Sequence, residues 1–179
     1  MNLHFDKAVK AKVLHVNARS ENHGDKLVPA VDVRLELDLP NNTVLPEFAP
    51  DLLDALYDRP EVSPQASIPT IHPSSTHLRF PPLGPLKWRE VTLHDQLTID
   101  YGLGGRDSNV VLRQVKCHRH VLTLKEGGTV TVTVTASAAN VSEQVLGRLG
   151  VRVQHEVHVL LTEGAPYVEE EDEDNDEAA

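Results

Sequence analysis

Cys117-His118-Arg119-His120 places a thiol and two imidazoles within four consecutive positions, in a chain of 179 residues with ten histidines and a single cysteine. A thiolate beside imidazole is the donor set of a zinc site or of an activated nucleophile. The spacing opposes both. In an extended segment alternate residues share a face, so His118 and His120 are expected on one side and Cys117 on the other. His155 and His158 likewise fall on opposite faces of a strand. No paired-cysteine motif, nucleophile elbow or cysteine-protease signature accompanies them. The expectation is no metal, no cofactor and no catalytic residue, with solvated or half-buried histidines and Cys117 as a small apolar side chain. Gly102-Leu103-Gly104-Gly105 lacks the strand-to-helix setting and the Lys-Ser/Thr of a phosphate loop, and is read as a β-turn.

A second chemistry comes from charge. Arg106, Arg113, Lys116, His118, Arg119, His120 and Lys125 crowd into one stretch with few acids. Cations on one sheet face would meet phosphates, and aromatic side chains would stack on unpaired bases. Arg106, Arg113, Lys116, Arg119 and Lys125 are the candidate phosphate contacts, with Trp88 and Tyr101 as candidate platforms and Phe80 nearby. Aromatics make up only 4% of the chain, and Trp88 suits a core equally well. A mixed-charge solvated face is the competing reading.

Val168 to Ala179 carries eight carboxylates, Glu169, Glu170, Glu171, Asp172, Glu173, Asp174, Asp176 and Glu177, and no base. Like charges at that density repel and bring little apolar area to bury, so residues 168–179 are expected as a disordered acidic tail. The whole chain has a formal charge of −10; of 27 acids, 19 lie outside the tail against 17 bases, so the body is nearly neutral at −2. Such a tail can compete with nucleic acid for a basic groove, recruit basic partners, or confer solubility.

Residues 1–167 are expected to form one β-rich domain. A lone cysteine forms no intrachain disulfide, which points to a reducing, cytoplasmic setting, and no apolar run suggests a signal peptide or a membrane span. Alternation predicts strands over 8–17, 31–39, 96–101, 110–115, 120–124, 129–135 and 151–161, with Ala18 to Asp25 as a loop. A helix is expected over Glu47 to Tyr57 and a short helical or turn segment over Ser142 to Leu149. Seven prolines between Arg59 and Pro85 mark a surface excursion. The threonines at 129, 131, 133 and 135 are expected to face solvent, or else an oligomer contact. The absence of a strand-helix-strand rhythm gives a mainly β architecture, an antiparallel OB-like barrel or a β-sandwich with one or two short helices.

Val13-Leu14-His15-Val16-Asn17-Ala18-Arg19 with His23-Gly24-Asp25, Leu97 to Gly105, and Glu126-Gly127-Gly128-Thr129-Val130 together resemble uncharacterised proteins encoded by phages and prophages of proteobacteria. In its order of parts the chain is also similar to phage and bacterial single-stranded DNA-binding proteins, which join a β-barrel to an acidic tail. That resemblance implies a DNA-binding accessory protein of replication or recombination whose tail regulates access and recruits partner proteins, with homo-oligomers as a further expectation. The alternative is a protein-interaction or virion-associated β module, or an acidic inhibitor of a host DNA-binding factor.

Overall fold

The computed structural model describes residues 3–24, 26–58, 76–100 and 108–163. Its elements are β1 (Phe5–His23), β2 (Lys26–Pro40), α1 (Asn41–Phe48), α2 (Leu52–Leu56), β3 (Tyr57–Asp58), β4 (His77–Leu78), β5 (Leu86–Trp88), β6 (Thr92–Asp100), β7 (Val110–Lys125), β8 (Thr129–Ala139), α3 (Glu143–Gly150) and β9 (Glu156–Glu163). Six strands close a ring in the order β1-β2-β8-β7-β6-β9 and back to β1, every neighbour antiparallel. Of the two expected architectures the barrel is the one formed, with six strands in place of the five of an OB-fold. β6, β7 and β8 follow one another as hairpins, and β9 returns to lie beside β6, a Greek-key order.

Alternation builds the interior. Val31, Val33, Leu35, Leu37 and Leu39 of β2 are buried, and Asp32, Arg34, Glu36 and Asp38 point outward. Val130, Val132 and Val134 of β8, Leu97 and Ile99 of β6, and Val157, Val159 and Leu161 of β9 meet them inside. The interior is therefore a packed core. At one end it is covered by α1, whose Val44, Leu45 and Phe48 are buried, and by Tyr57, whose hydroxyl donates to the Lys125 carbonyl at 2.9 Å. At the other end α3 seals it with the fully buried Leu149. The Ser142 side chain caps α3 by accepting from the Val145 N–H at 3.3 Å.

The structure departs from the sequence expectations in several places. The helix foreseen over 47–57 is two helices, because Ala49 is extended (φ −155°, ψ 140°) ahead of Pro50, whose ring disfavours a helical residue before it. The last strand starts at Glu156, since Val151 to Gln154 form the turn that reverses the chain after α3, and Val151 is 66% exposed. β1 runs on through the expected loop to His23, and its residues from Ser20 onward pair with the part of β2 that precedes the β8 ladder, making a projecting two-stranded arm. Of the Pro-rich excursion, residues 59–75 lie outside the described residues; its described end is tied down by β4, which pairs with β3.

The threonine ladder is buried, with Thr131, Thr133, Thr135 and Ser137 only 6–9% exposed, neither solvated nor at an edge. β8 is paired on both sides, and its short outward side chains sit between longer registered neighbours such as Arg34, Glu36 and Val121. The segments expected at 110–115 and 120–124 are one strand broken by two irregularities. Gln114 and Arg119 have φ values of 50° and 55°, and the β7–β8 register slips between His118 and Val121. Each irregularity lets two successive residues face outward, Arg113-Gln114 and then His118-Arg119. This overturns the expected facing of the histidines: Cys117 and His120 are both buried, while His118 lies on the outer face.

No described helix is long and apolar enough to cross a membrane. Leu35, 2% exposed in the barrel centre, offers a test of the core: Leu35→Ala is expected to lower the unfolding free energy by about 2–5 kcal/mol in urea titrations, whereas Arg34→Ala on the outer face shifts it by about 0.5 kcal/mol or less.

Candidate functional site

β8 begins as a Val/Thr ladder and ends in Ala136-Ser137-Ala138-Ala139. That change of residue size hollows the outer surface. Ser137, Ala138 and Ala139 line a groove of about 540 Å³ with Arg19 and Glu21 from β1 and Gln114, Lys116 and His118 from β7; Val91 and Leu93 complete it. A second hollow of about 710 Å³ shares Gln114 and Ala139 and adds Asp95, Arg113, Asn140 and Ser142. The two form one trough from the base of the β1–β2 arm to the start of α3.

Strand register explains the convergence. Lys116 pairs with Ser137, Ser137 with Asp32, and Asp32 with Asn17, so one transverse row of outward positions crosses β7, β8, β2 and β1. Side chains knit that row together. Arg19 Nε donates to Asp32 Oδ1 at 2.9 Å and Arg19 also pairs with Glu21. Ser137 Oγ donates to the same Asp32 oxygen at 2.7 Å, and His118 Nε2 lies 2.9 Å from Ser137 Oγ. Partial burial pulls the Asp32 pKa upward, but hydrogen bonds from Ser137 and Arg19 and the Arg19 charge outweigh it and hold the carboxyl below its ordinary value. An ionised carboxylate only accepts, so the Ser137 proton is directed at Asp32 and the His118 Nε2–H donates to Ser137. The hydroxyl is thus not delivered to a base, as a nucleophile requires. Burial, with Arg119 and Lys116 nearby, lowers the His118 pKa, which leaves that ring an uncharged donor at neutral pH.

Among the residues expected to contact phosphate, Arg113 and Lys116 line the trough. Arg119 is exposed at the second irregularity, next to His118. Lys125 lies at the other end of β7, roughly 40 Å along the strand from Arg113, where its Nζ meets Asp38 at 3.0 Å. Trp88 is half-buried, edge-to-face with Phe48 at 5.6 Å between ring centroids, and its Nε1–H donates to Glu90 at 3.1 Å. Its ring thus serves the packing of α1 on the barrel. Tyr101, Arg106 and the eight tail carboxylates lie outside the described residues. Sequence reasoning missed Arg19, Gln114 and Ser137. Two signals were available: the switch from Val/Thr to Ala/Ser in β8, and the adjacent polar residues Arg113-Gln114 in an otherwise alternating strand.

Among the described residues no group of three or more His, Cys, Asp or Glu side chains is placed to hold a metal ion. Burial pushes the Cys117 thiol pKa up to about 12, so it is protonated and inert at neutral pH. His94 is buried with Nε2 at 2.8 Å from Thr92 Oγ1 and Nδ1 at 3.3 Å from the Thr162 carbonyl.

His120 is fully buried, edge-to-face with Phe48 at 5.8 Å, and neither ring nitrogen has a well-formed hydrogen bond among the described residues. Burial depresses its pKa to about 4, against an upward pull from the backbone and the charge of Glu90. Because the unfolded chain takes up this proton near pH 6.5 and the folded one only near 4, the stability His120 confers is full above pH 6.5 and is lost as pH falls through that window. His94 and His118, also lowered, act with the same sign. His120→Leu is expected to flatten the pH 6.5-to-4 stability profile by up to about 3 kcal/mol, read from chemical denaturation at stepped pH.

Comparison with protein-family models, with curated proteins and with solved structures finds no match to this chain.

Proposed function

We propose that the protein is a non-enzymatic, phage-type accessory protein of DNA replication or recombination that binds single-stranded DNA along the trough over β7 and β8. The observation that supports this reading is the trough itself: a floor of small side chains flanked by Arg19, Arg113 and Lys116, with the one N–H of His118 committed to Ser137. A floor without bulky groups admits a sugar-phosphate backbone, and cations at intervals along it match a repeating anion. Asp32 and Glu21 hold Arg19 in place, so the Arg19 charge is largely neutralised, and Arg113, Lys116 and Arg119 carry the phosphate contacts. With Trp88 engaged in packing, base stacking falls to Tyr101.

The acidic tail regulates this site and recruits replication or recombination proteins. It follows β9, whose Glu163 is registered with His94, itself registered with Val115 of β7. Two strand spacings, about 10 Å, therefore separate the end of β9 from the trough-bearing strand, a distance short enough for the polyanion that follows to compete with DNA.

Fluorescence anisotropy with labelled oligo-dT and a matched duplex tests the reading. Expected are preferential single-strand binding, a log–log salt slope near −2 for about three phosphate contacts, at least about tenfold weaker binding for Arg113→Glu/Lys116→Glu, and tighter binding for a chain ending at Tyr167. Salt-independent or absent binding by both chains would overturn it and favour the protein-interaction alternative.

A further inference from the structure

β1 and β2 part company where they should still be paired. Their ladder stops at Lys12 opposite Glu36, although the same register continued would place Lys10 opposite Asp38 and Ala8 opposite Pro40. β1 instead stays with β9 on its other side, through Val9–Val159 and Lys10–His158. The splay opens a cleft of about 640 Å³ between the start of β1 and the end of β2 with α1. Its lining is mainly apolar, from Leu3, Phe5, Val9, Leu39 and Val44, with Lys7 and Lys10 balanced by Asp38 and Glu47. A mainly apolar hollow of that size beside unpaired strand backbone calls for an occupant that is extended and partly apolar.

We propose that the occupant is this chain's own segment 164–168, with Tyr167 and Val168 seated in the cleft. Three observations converge on it. His4, which lines the cleft, contacts Glu163 at 3.6 Å, so the chain leaves β9 at the cleft mouth. Crossing β1 from β9 requires about two strand spacings, roughly 10 Å, and the four residues from Gly164 to Tyr167 span up to about 13 Å. Gly164-Ala165-Pro166-Tyr167-Val168 is also the only part of the segment beyond Glu163 with large apolar side chains. A clamp at Tyr167 and Val168 fixes where the acidic run starts, and its release lengthens the reach of that run toward the trough. The cleft proposal stands independently of DNA binding.

Engineered cysteine pairs in the full chain test it, since native Cys117 is buried. Thr43 lines the cleft and is exposed, whereas Val111, on β7, is 39% exposed and lines the trough instead. In oxidised-glutathione buffer, Thr43→Cys/Val168→Cys is expected to form an intrachain disulfide at least about tenfold faster than Val111→Cys/Val168→Cys, as a raised local concentration dictates. Adding Tyr167→Ser should bring the first rate down to the second. Hydrogen exchange across 5–10 and 38–47 should rise when the chain is cut after Glu163, a readout that needs no cysteine. Equal rates for the two pairs, or unchanged exchange on truncation, would overturn the proposal. Cross-links forming only between chains would overturn it too and assign the cleft to a second copy. A DNA titration that fails leaves all of these readouts intact.

Discussion

Everything in this protein depends on β7 holding two neighbours at once. It must pair with β6 on one side and β8 on the other for the ring to close, and sixteen residues of strict alternation would give a straighter strand than a six-stranded barrel permits. The irregularities at Gln114 and Arg119 bend it while keeping Val110, Leu112, Val115, Cys117, His120 and Leu122 inside. The same two irregularities turn four polar residues outward in adjacent pairs. The device that closes the core is therefore the device that furnishes the trough, and neither can be altered without the other.

The polar row at Asp32 follows from closure as well. Once β8 lies between β2 and β7, Asp32, Ser137 and His118 come from three strands widely separated in sequence, and Arg19 adds a fourth. A half-buried carboxylate in such a position requires donors around it, and it has three side chains supplying them. These bonds fix the orientation of Arg19 and His118 at the trough. They act as positioning contacts more than as a source of stability, because the pairs remain partly solvated.

Much of the architecture was legible because its strands obey a period of two. β2 and the β7–β8 hairpin stand where alternation and the Gly127-Gly128 turn place them, with both glycines at positive φ (87° and 81°). α3 falls within the segment expected over 142–149, extended by one residue to Gly150. What alternation could not convey is an interruption of itself: Arg119 inverts the facing of His120, and a pattern rule that assumes a regular strand assigns that histidine to the wrong side. The site was half visible. Arg113 and Lys116 were found as cations in a run, whereas Arg19 and Ser137 enter through register alone, a long-range property that no local window contains. Trp88 illustrates the converse, since residue type suggests a platform but Phe48 occupies its ring.

The ring is completed by β1 against β9, the first and last strands described. During synthesis β1 and β2 can form their hairpin early, yet β1 must wait for more than a hundred further residues before its second neighbour leaves the ribosome. Until then one long edge of an apolar strand pair stays open to other nascent chains, a kinetic hazard of high contact order. The lysines at 7, 10 and 12 lie along that waiting edge, and repeated positive charge keeps like edges apart. Their charge thus has a task before the barrel exists, and Lys10 has another within it as the partner of Glu156.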